Sequence, residues 1–338
     1  MIKYLGSKRQ LIPQILKAVH QANPGAKHII DLFSGTSRVG HALKRSGFKV
    51  SANDHNTYAY WLAKCYVETD LLEVASDARN WISKLNKLPG KEGYFTETFC
   101  LKSRFFHPKN GMRVDAIREV LANENLEPKL FAVLLVSLME AADRVDSTCG
   151  IQMSYLKSWA PRALQDLGLR LPDLLPASEY GPGKAHCLDA LEAAKQLEAD
   201  VIYIDPPYNQ HNYRRNYHIW ETLALWDKPE SYGIAAKRID CKTHKSAFNL
   251  KTEFMAAFSE LIANLRAKTL IVSFNNEGFM SQPEMESLLA QRGKVSTTVI
   301  DYKRYVGAQI GIYNPKGERV GKVSHLKNKE FLYSVKIQ

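Results

Sequence analysis

Apolar positions along the chain fall into short blocks separated by polar, glycine-bearing or proline-bearing turns. Residues 11–20 repeat their apolar positions at helical spacing, and Asn23-Pro24-Gly25 closes that helix. Residues 28–33, HIIDLF, read as a buried strand that Ser34-Gly35-Thr36 interrupts. A helix is predicted over 39–45, ending at Gly47, and a second strand over 48–52, ending at Asn53-Asp54. Strand, glycine turn, helix, strand and acidic residue, in that order, open a doubly wound α/β domain.

The pattern then changes. A helix is predicted over 57–73, but residues 77–125 mix charges and aromatics without a clear period. Residues 130–143 read as a long helix, and 171–183, with Pro172, Pro176 and Pro182, as loop. Regular α/β pattern resumes at 186–190 and in the apolar run Val201-Ile202-Tyr203-Ile204. A strand over 269–274, a helix over 284–291, and antiparallel strands over 295–300 and 331–337 complete the reading. Reaching a fourth strand from the first takes roughly 70–90 residues of successive βαβ units. The chain between Asp31 and Asp205 exceeds that by about 80–100 residues on the same reckoning. We therefore read residues 75–184 as an inserted, mostly helical module, and 1–74 with 185–338 as the domain that receives it.

Composition adds a partner class. The net charge is +11 and the pI about 9.2, which suit a polyanion such as nucleic acid, although a basic protein without such a partner remains the alternative. The five cysteines stand singly, so neither a zinc finger nor a disulfide framework is supported, and reduced thiols in a cytoplasm are expected. The first ten residues, MIKYLGSKRQ, are polar and basic and do not read as a signal peptide. The longest apolar run, residues 130–139, is too short to span a bilayer.

Two turns carry candidate chemistry. In DLFSGTSRVG, residues 31–40, a glycine lets backbone approach a ligand while a helix N-terminus supplies free N–H donors. Asp54, about twenty residues on, lies where a carboxylate meets ribose hydroxyls in this fold, so an adenosine-containing cofactor is one reading and an empty turn the other. The G-x-G-x-x-G dinucleotide fingerprint is broken by Ser37, which disfavours NAD. Asp205-Pro206-Pro207-Tyr208 ends the strand at 201–204, because proline cannot continue a hydrogen-bonded ladder. A carboxylate and a neighbouring carbonyl can accept both hydrogens of an exocyclic amine, and the ring can stack on an extruded base. A plain strand-terminating turn is the alternative.

Taken together, Tyr4-Leu5-Gly6-Ser7-Lys8, then DLFSGTSRVG, then ANDHN at 52–56, then DPPY, in this order, resemble the adenine-N6 DNA methyltransferases of the α-group, Dam-like arrangement. The resemblance covers roughly residues 1–70 and 185–275. It implies a Rossmann-like doubly wound methyltransferase sheet with an inserted, mostly helical target-recognition domain, and S-adenosylmethionine as cofactor. It places Tyr4 and Lys8 beside that cofactor, Asp31, Phe33 and Gly35 on its methionine side, Asp54 at the ribose and Asp189 near the adenine. Asp205, Pro206, Pro207 and Tyr208 become the catalytic tetrapeptide, with Asp205 also bordering the cofactor. The chain departs from the family at Ser37, where a glycine is usual, which implies a different approach of that loop.

The implied substrate is double-stranded DNA, with a cognate restriction endonuclease as a possible partner, in the cytoplasm of a bacterium, archaeon or phage-infected cell. Neither a metal nor a membrane is called for. Lys102, Arg104, Lys109 and Arg113 in the insertion, Arg214 and Arg215 after the tetrapeptide, and Lys303 and Arg304 near the end are expected to meet DNA. For any one of them the alternative is a solvated face. An RNA base methyltransferase and a catalytically silent DNA-binding module on the same fold are the competing functions.

Overall fold

The computed structural model describes residues 1–303, 312–313, 319–321 and 327–337, with backbone alone at 302–303, 312–313, 319–321 and 327–328. Its strands are β1 (His28–Asp31), β2 (Lys49–Asn53), β3 (Lys184–His186), β4 (Glu198–Ile204), β5 (Ser231–Tyr232), β6 (Lys237–Arg238), β7 (Arg266–Asn275), β8 (Gly293–Lys303), β9 (Ile312–Tyr313), β10 (Arg319–Gly321) and β11 (Lys327–Ile337). Among the described residues, seven of them form one sheet in the order β3-β2-β1-β4-β7-β11-β8. The first five are parallel, and β11 enters antiparallel between β7 and β8, pairing Phe331 with both Phe274 and Val299.

This is the doubly wound α/β architecture expected from the sequence, and its layers follow from strand alternation. On β4, Val201 and Tyr203 face a core with Leu11, Ile15 and Val19 from the helix Ile12–Ala22 and its approach. Ile202 and Ile204 face the opposite core, with Phe254, Phe258 and Leu261 of the helix Lys251–Asn264. β1 lies between β2 and β4, so the chain winds away from it in both directions. In such sheets the crevice at that reversal, past the carboxyl ends of the strands, is where ligands bind.

Residues 75–184, expected to be an inserted module, are helical as far as Arg144 and then mostly irregular, and they share their core with the residues that flank them. The helix Leu71–Asn86 runs unbroken through residue 74, and Val74, Val114 and Leu134 share one cluster with Tyr58, Leu62, Ile219 and Trp220. The helix Pro128–Arg144 is buried on most sides, so it packs against the insertion and the sheet-covering helices at once. Two expectations for this region are corrected. The helix predicted over 57–73 is interrupted: Thr57–Ala63 runs into a π turn at Lys64–Glu68, and Asp70 caps a new helix through a reciprocal pair with Glu73. Within 77–125 the helix Pro108–Asn123 buries Asn110, Asp115 and Arg118 alongside its apolar residues, which erases the amphipathic period. Most of these polar atoms are paired: Asp115 accepts from the Phe95 and Thr96 amides, and Arg118 donates from Nε to Leu223 O and from Nη2 to Ala224 O, leaving its Nη1 buried without a partner.

Candidate active site

Asp31 ends β1, Asp54 follows β2 and Asp205 follows β4, so three carboxylates meet at one edge of the sheet. They line a single cleft with Tyr4, Lys8, Phe33, Gly35, Asp189 and the Pro206-Pro207-Tyr208 turn. Every residue named from the sequence for the cofactor and the tetrapeptide therefore reaches the same cavity.

Each is fixed by local structure. Asp31 is buried and its Oδ2 accepts from the Gly40 amide at 2.8 Å, in the first turn of the helix Arg38–Arg45. Gly35 adopts φ +49°, and a Cβ there would stand 3.3 Å from the Tyr4 ring. Only glycine fits that close approach without strain. Ser37, the departure from the family pattern, sits at φ 56° and ψ 24°, the left-handed region where glycine is easiest. The loop thus keeps the glycine-like backbone with a serine in place. Asp54 accepts from the Gly35 amide at 3.0 Å through Oδ2, and from the amide and side chain of Asn56 through Oδ1. Asp189 caps the helix Ala190–Gln196, accepting from Leu191 N at 2.9 Å.

Tyr4 stacks on Tyr217 at 4.5 Å and on Tyr213 at 5.1 Å between ring centroids, and shares a hydrogen bond with Tyr58. This aromatic wall stands beside the tetrapeptide. Tyr208 packs edge-on against Phe274, and its carbonyl accepts from Phe279 N.

Lys8 crosses the floor of the cleft. Its ammonium lies 3.1 Å from Asp205 Oδ1 and 2.6 Å from Glu330 Oε1, a residue of β11. Glu330 also accepts from Ser273 Oγ of β7 at 2.7 Å. Burial disfavours the charge on Lys8, yet Asp205 and Glu330 hold its ammonium well above the usual lysine range. Burial pushes the Asp205 carboxyl up to about 6, against the pull of Lys8 and with the help of Glu330. Burial likewise raises Asp31 to about 7; the hydrogen bond from Gly40 opposes this, while the charges of Asp205 and Asp54 add to it.

The electrostatics suit a cationic ligand. Four carboxylates line the cleft against three cations, Lys8, Arg38 and Arg214, and the charges of two of these are already engaged: Lys8 as described, and Arg214 by Glu221 at 3.0 Å and Asp240 at 2.7 Å. A cofactor bearing an ammonium and a sulfonium fits this excess, since a nearby positive charge would favour the ionised form of Asp31.

The described cations expected to meet DNA are already engaged within the protein. Arg214 is 13% exposed and held in the ion pairs just named, and Arg215 Nε donates to Cys241 O. In the insertion, Lys102 pairs with Glu97 and Lys109 with Asp166. Arg113 donates to the carbonyls of Leu85, Asn86 and Leu88, closing the C-terminus of the helix Leu71–Asn86. Arg104 lies 4.6 Å over the Trp159 ring and donates to Lys157 O. Lys303 is the last residue of β8, described by its backbone, and Arg304 lies outside the described residues.

Sequence reasoning missed several residues of the site. Asn212, Tyr213, His244 and Asn249 also line the cleft. Glu330 had no local signal, because its contact with Lys8 joins positions 322 residues apart.

Comparison with known proteins agrees with this geometry. The chain is 32% identical over 324 residues to the Type II methyltransferase M.FokI of Planomicrobium okeanokoites, covering 90% of this chain and 50% of that one. It is 28% identical over 341 residues to the Type II methyltransferase M.NlaIII of Neisseria lactamica, covering 98% of this chain and all of that one. With modification methylase StsI of Streptococcus sanguinis the identity is 31% over 322 residues, covering 90% of this chain and 49% of that one. The chain thus spans about half the length of M.FokI and StsI. A family model matches residues 4–283, from the Tyr4 of the aromatic wall past the whole cleft to the helix Gln282–Ala290, and by that match the chain belongs to the D12 class N6 adenine-specific DNA methyltransferases.

Proposed function

We propose that this chain methylates N6 of adenine in duplex DNA, with the target base extruded into the cleft at Asp205. The observation that carries the reading is the meeting of Asp31, Asp54 and Asp205 in one cleft, with the rigid Pro206-Pro207 turn at its floor. Asp31, Phe33 and Gly35 with Tyr4 would hold the methionine side of S-adenosylmethionine, Asp54 its ribose and Asp189 its adenine side. The cofactor supplies the methyl group as an electrophilic sulfonium.

The rest is done by the chain. Adenine N6 is a poor nucleophile because its lone pair is delocalised into the ring. Asp205 Oδ and the Pro206 carbonyl would accept the two N6 hydrogens, draw the nitrogen toward tetrahedral geometry and stabilise the positive charge that develops on it. Both acceptors are fixed before substrate arrives, so positioning and electrostatics carry the acceleration. The Tyr208 ring offers a stacking face to the extruded base. The proton released from N6 leaves to solvent.

Residues 75–184 would read the flanking bases as a target-recognition module, since Asp205 to Tyr208 can contact only the extruded adenine. The relatives named as Type II methyltransferases and modification methylases support a role in restriction–modification, opposite a cognate endonuclease or alone, in a cytoplasm. No helix among the described residues is long and apolar enough to cross a membrane. The test is transfer of labelled methyl from S-adenosylmethionine to duplex DNA, followed by nucleoside analysis. N6-methyladenine is expected; label appearing in RNA instead, or in no nucleic acid while cofactor still binds, would favour the RNA enzyme or the silent module respectively.

A further inference from the structure

Lys8 needs one carboxylate to balance its charge, and it has two. Glu330 is 5% exposed and Asp205, which lines the cleft, has a side chain 19% exposed, so the triad holds a largely buried net negative charge beside the position where the methyl group is transferred. An uncompensated charge in such a place costs free energy, and folding stability alone would favour a neutral residue at 330. The arrangement is nevertheless built with care. Glu330 arrives on β11, the one antiparallel strand inserted into the parallel run, at the point where it pairs with Asn275 of β7 and Ile300 of β8. Ser273 Oγ fixes the carboxylate oxygen that accepts from Lys8.

The geometry points to Glu330 as a positioning residue for methyl transfer, which holds the Lys8 ammonium so that Asp205 keeps its acceptor strength for the target amine. This rests on the function proposed above. At 2.6 Å the Lys8 ammonium is closer to Glu330 than to Asp205, at 3.1 Å. Without Glu330 the ammonium would settle fully on Asp205, compete with N6 for its lone pairs and leave the triad neutral. With Glu330 the site presents surplus negative charge where positive charge grows in the transition state, which is the form of stabilisation that accelerates the step.

The groups facing Asp205 come from several elements: Lys8 before the first helix, Glu330 on β11, Asp31 on β1, Tyr203 on β4, and Tyr213 beyond the tetrapeptide. Of these only Glu330 and Asp31 are carboxylic groups, and only Glu330 also binds Lys8.

The experiment compares Glu330→Gln and Glu330→Asp with the unaltered chain, measuring single-turnover methyl transfer to duplex DNA from pH 5 to 8 and cofactor affinity by titration. Glu330→Gln should lower the transfer rate about tenfold to a hundredfold, with cofactor affinity within a factor of about two. The acid limb of the rate should move down by about one pH unit, because a like charge near Asp205 has gone. Glu330→Asp should recover much of the rate. A residue that merely fills space would leave the acid limb in place, and an unchanged rate and limb in Glu330→Gln overturns the inference. Should that variant fail to fold, Ser273→Ala, which loosens the Glu330 carboxylate without removing its charge, must reduce the rate while the acid limb and the cofactor affinity stay in place, and an unchanged rate there overturns the inference equally. An unaltered chain that transfers no methyl to adenine overturns the proposed function instead, so the two failures are distinct.

Discussion

The amide of Gly35 donates to Asp54 Oδ2 at 3.0 Å, which ties the turn after β1 to the carboxylate after β2. The other oxygen of Asp54 is held by Asn56, so the carboxylate is aimed into the cleft before any ligand arrives. Preorganisation of this kind reduces the ordering cost of binding.

Replacing Asp54 by alanine should therefore weaken cofactor binding, by the loss of a charged hydrogen bond worth about 1.5–3 kcal/mol, or roughly tenfold to a hundredfold in Kd. Transfer at saturating cofactor should be less affected. Equilibrium titration of the variant is the measurement, and an unchanged Kd would take Asp54 out of the site.

Asp205→Ala should behave the other way. The carboxylate acts on the target amine, so transfer should fall by at least about a hundredfold while cofactor affinity stays within a few-fold. Single-turnover transfer and a cofactor titration on the same preparation separate the two quantities. Near-normal transfer by this variant would refute the assignment.

The pH dependence of cofactor binding follows from Asp31, raised to about 7 by burial, against the Gly40 amide and with the charges of Asp205 and Asp54. A cationic ligand prefers the ionised carboxylate. Above 7 that form is already present, and below 7 binding must first drive off a proton. The dissociation constant should thus be nearly flat above pH 8 and rise toward tenfold per pH unit below about 6. Asp31→Asn should bind weakly at every pH and lose this slope. A Kd independent of pH between 5.5 and 8 in the unaltered chain would exclude Asp31 from ligand binding.

How much of this was legible in the sequence depends on whether the physics is local. Asp31, Asp54 and Asp205 could be placed because each follows a short apolar strand, and parallel strands of a doubly wound sheet bring their carboxyl ends together. Ser37 could be flagged as an exception, but only the backbone shows that it takes the left-handed conformation of the glycine it replaces. The insertion was legible as an excess of length but not as a fold. Its helix Pro108–Asn123 buries Asn110, Asp115 and Arg118, so the sequence there carries no clear apolar period to read. Arg214 read as a phosphate ligand because its partners Glu221, seven positions on, and Asp240, 26 positions on, are brought to it only by the fold. Glu330 was out of reach altogether, since a contact made across 322 positions leaves no periodicity or spacing to read.

Arg214 yields a prediction about stability. Glu221 is fully buried, accepts from the amides of Thr57 and Tyr58, and takes its counter-charge from Arg214. Arg214→Ala would leave a buried carboxylate unpaired, which should cost about 3–5 kcal/mol. Denaturant titration reads this directly. A loss below about 1 kcal/mol would mean that the pair is effectively a solvated one.

The insertion supplies the last prediction. Of its four candidate DNA ligands, Arg113 is committed to three carbonyls at a helix terminus and cannot turn outward without opening that helix. Lys102 and Lys109 sit in ion pairs with side chains 61% and 41% exposed, and such surface pairs are worth about 0–1 kcal/mol, so phosphate can displace their partners. Arg104 differs from all three. Unlike the two lysines it has no carboxylate partner among the described residues, and unlike Arg113 it spends a donor on one carbonyl only, that of Lys157, while stacking over Trp159 holds its guanidinium in a defined plane. A planar, preoriented guanidinium is the group that makes a bidentate contact with guanine in the major groove, worth about 1–3 kcal/mol of discrimination. Arg104→Ala should therefore relax preference at one base pair of the target by about that amount. Lys102→Ala and Lys109→Ala should weaken binding to all sequences alike and flatten its salt dependence by roughly one ion each. Binding to cognate and single-mismatch duplexes at several salt concentrations measures both effects. If Arg104→Ala instead weakens every duplex equally, the insertion grips the backbone and the bases are read elsewhere.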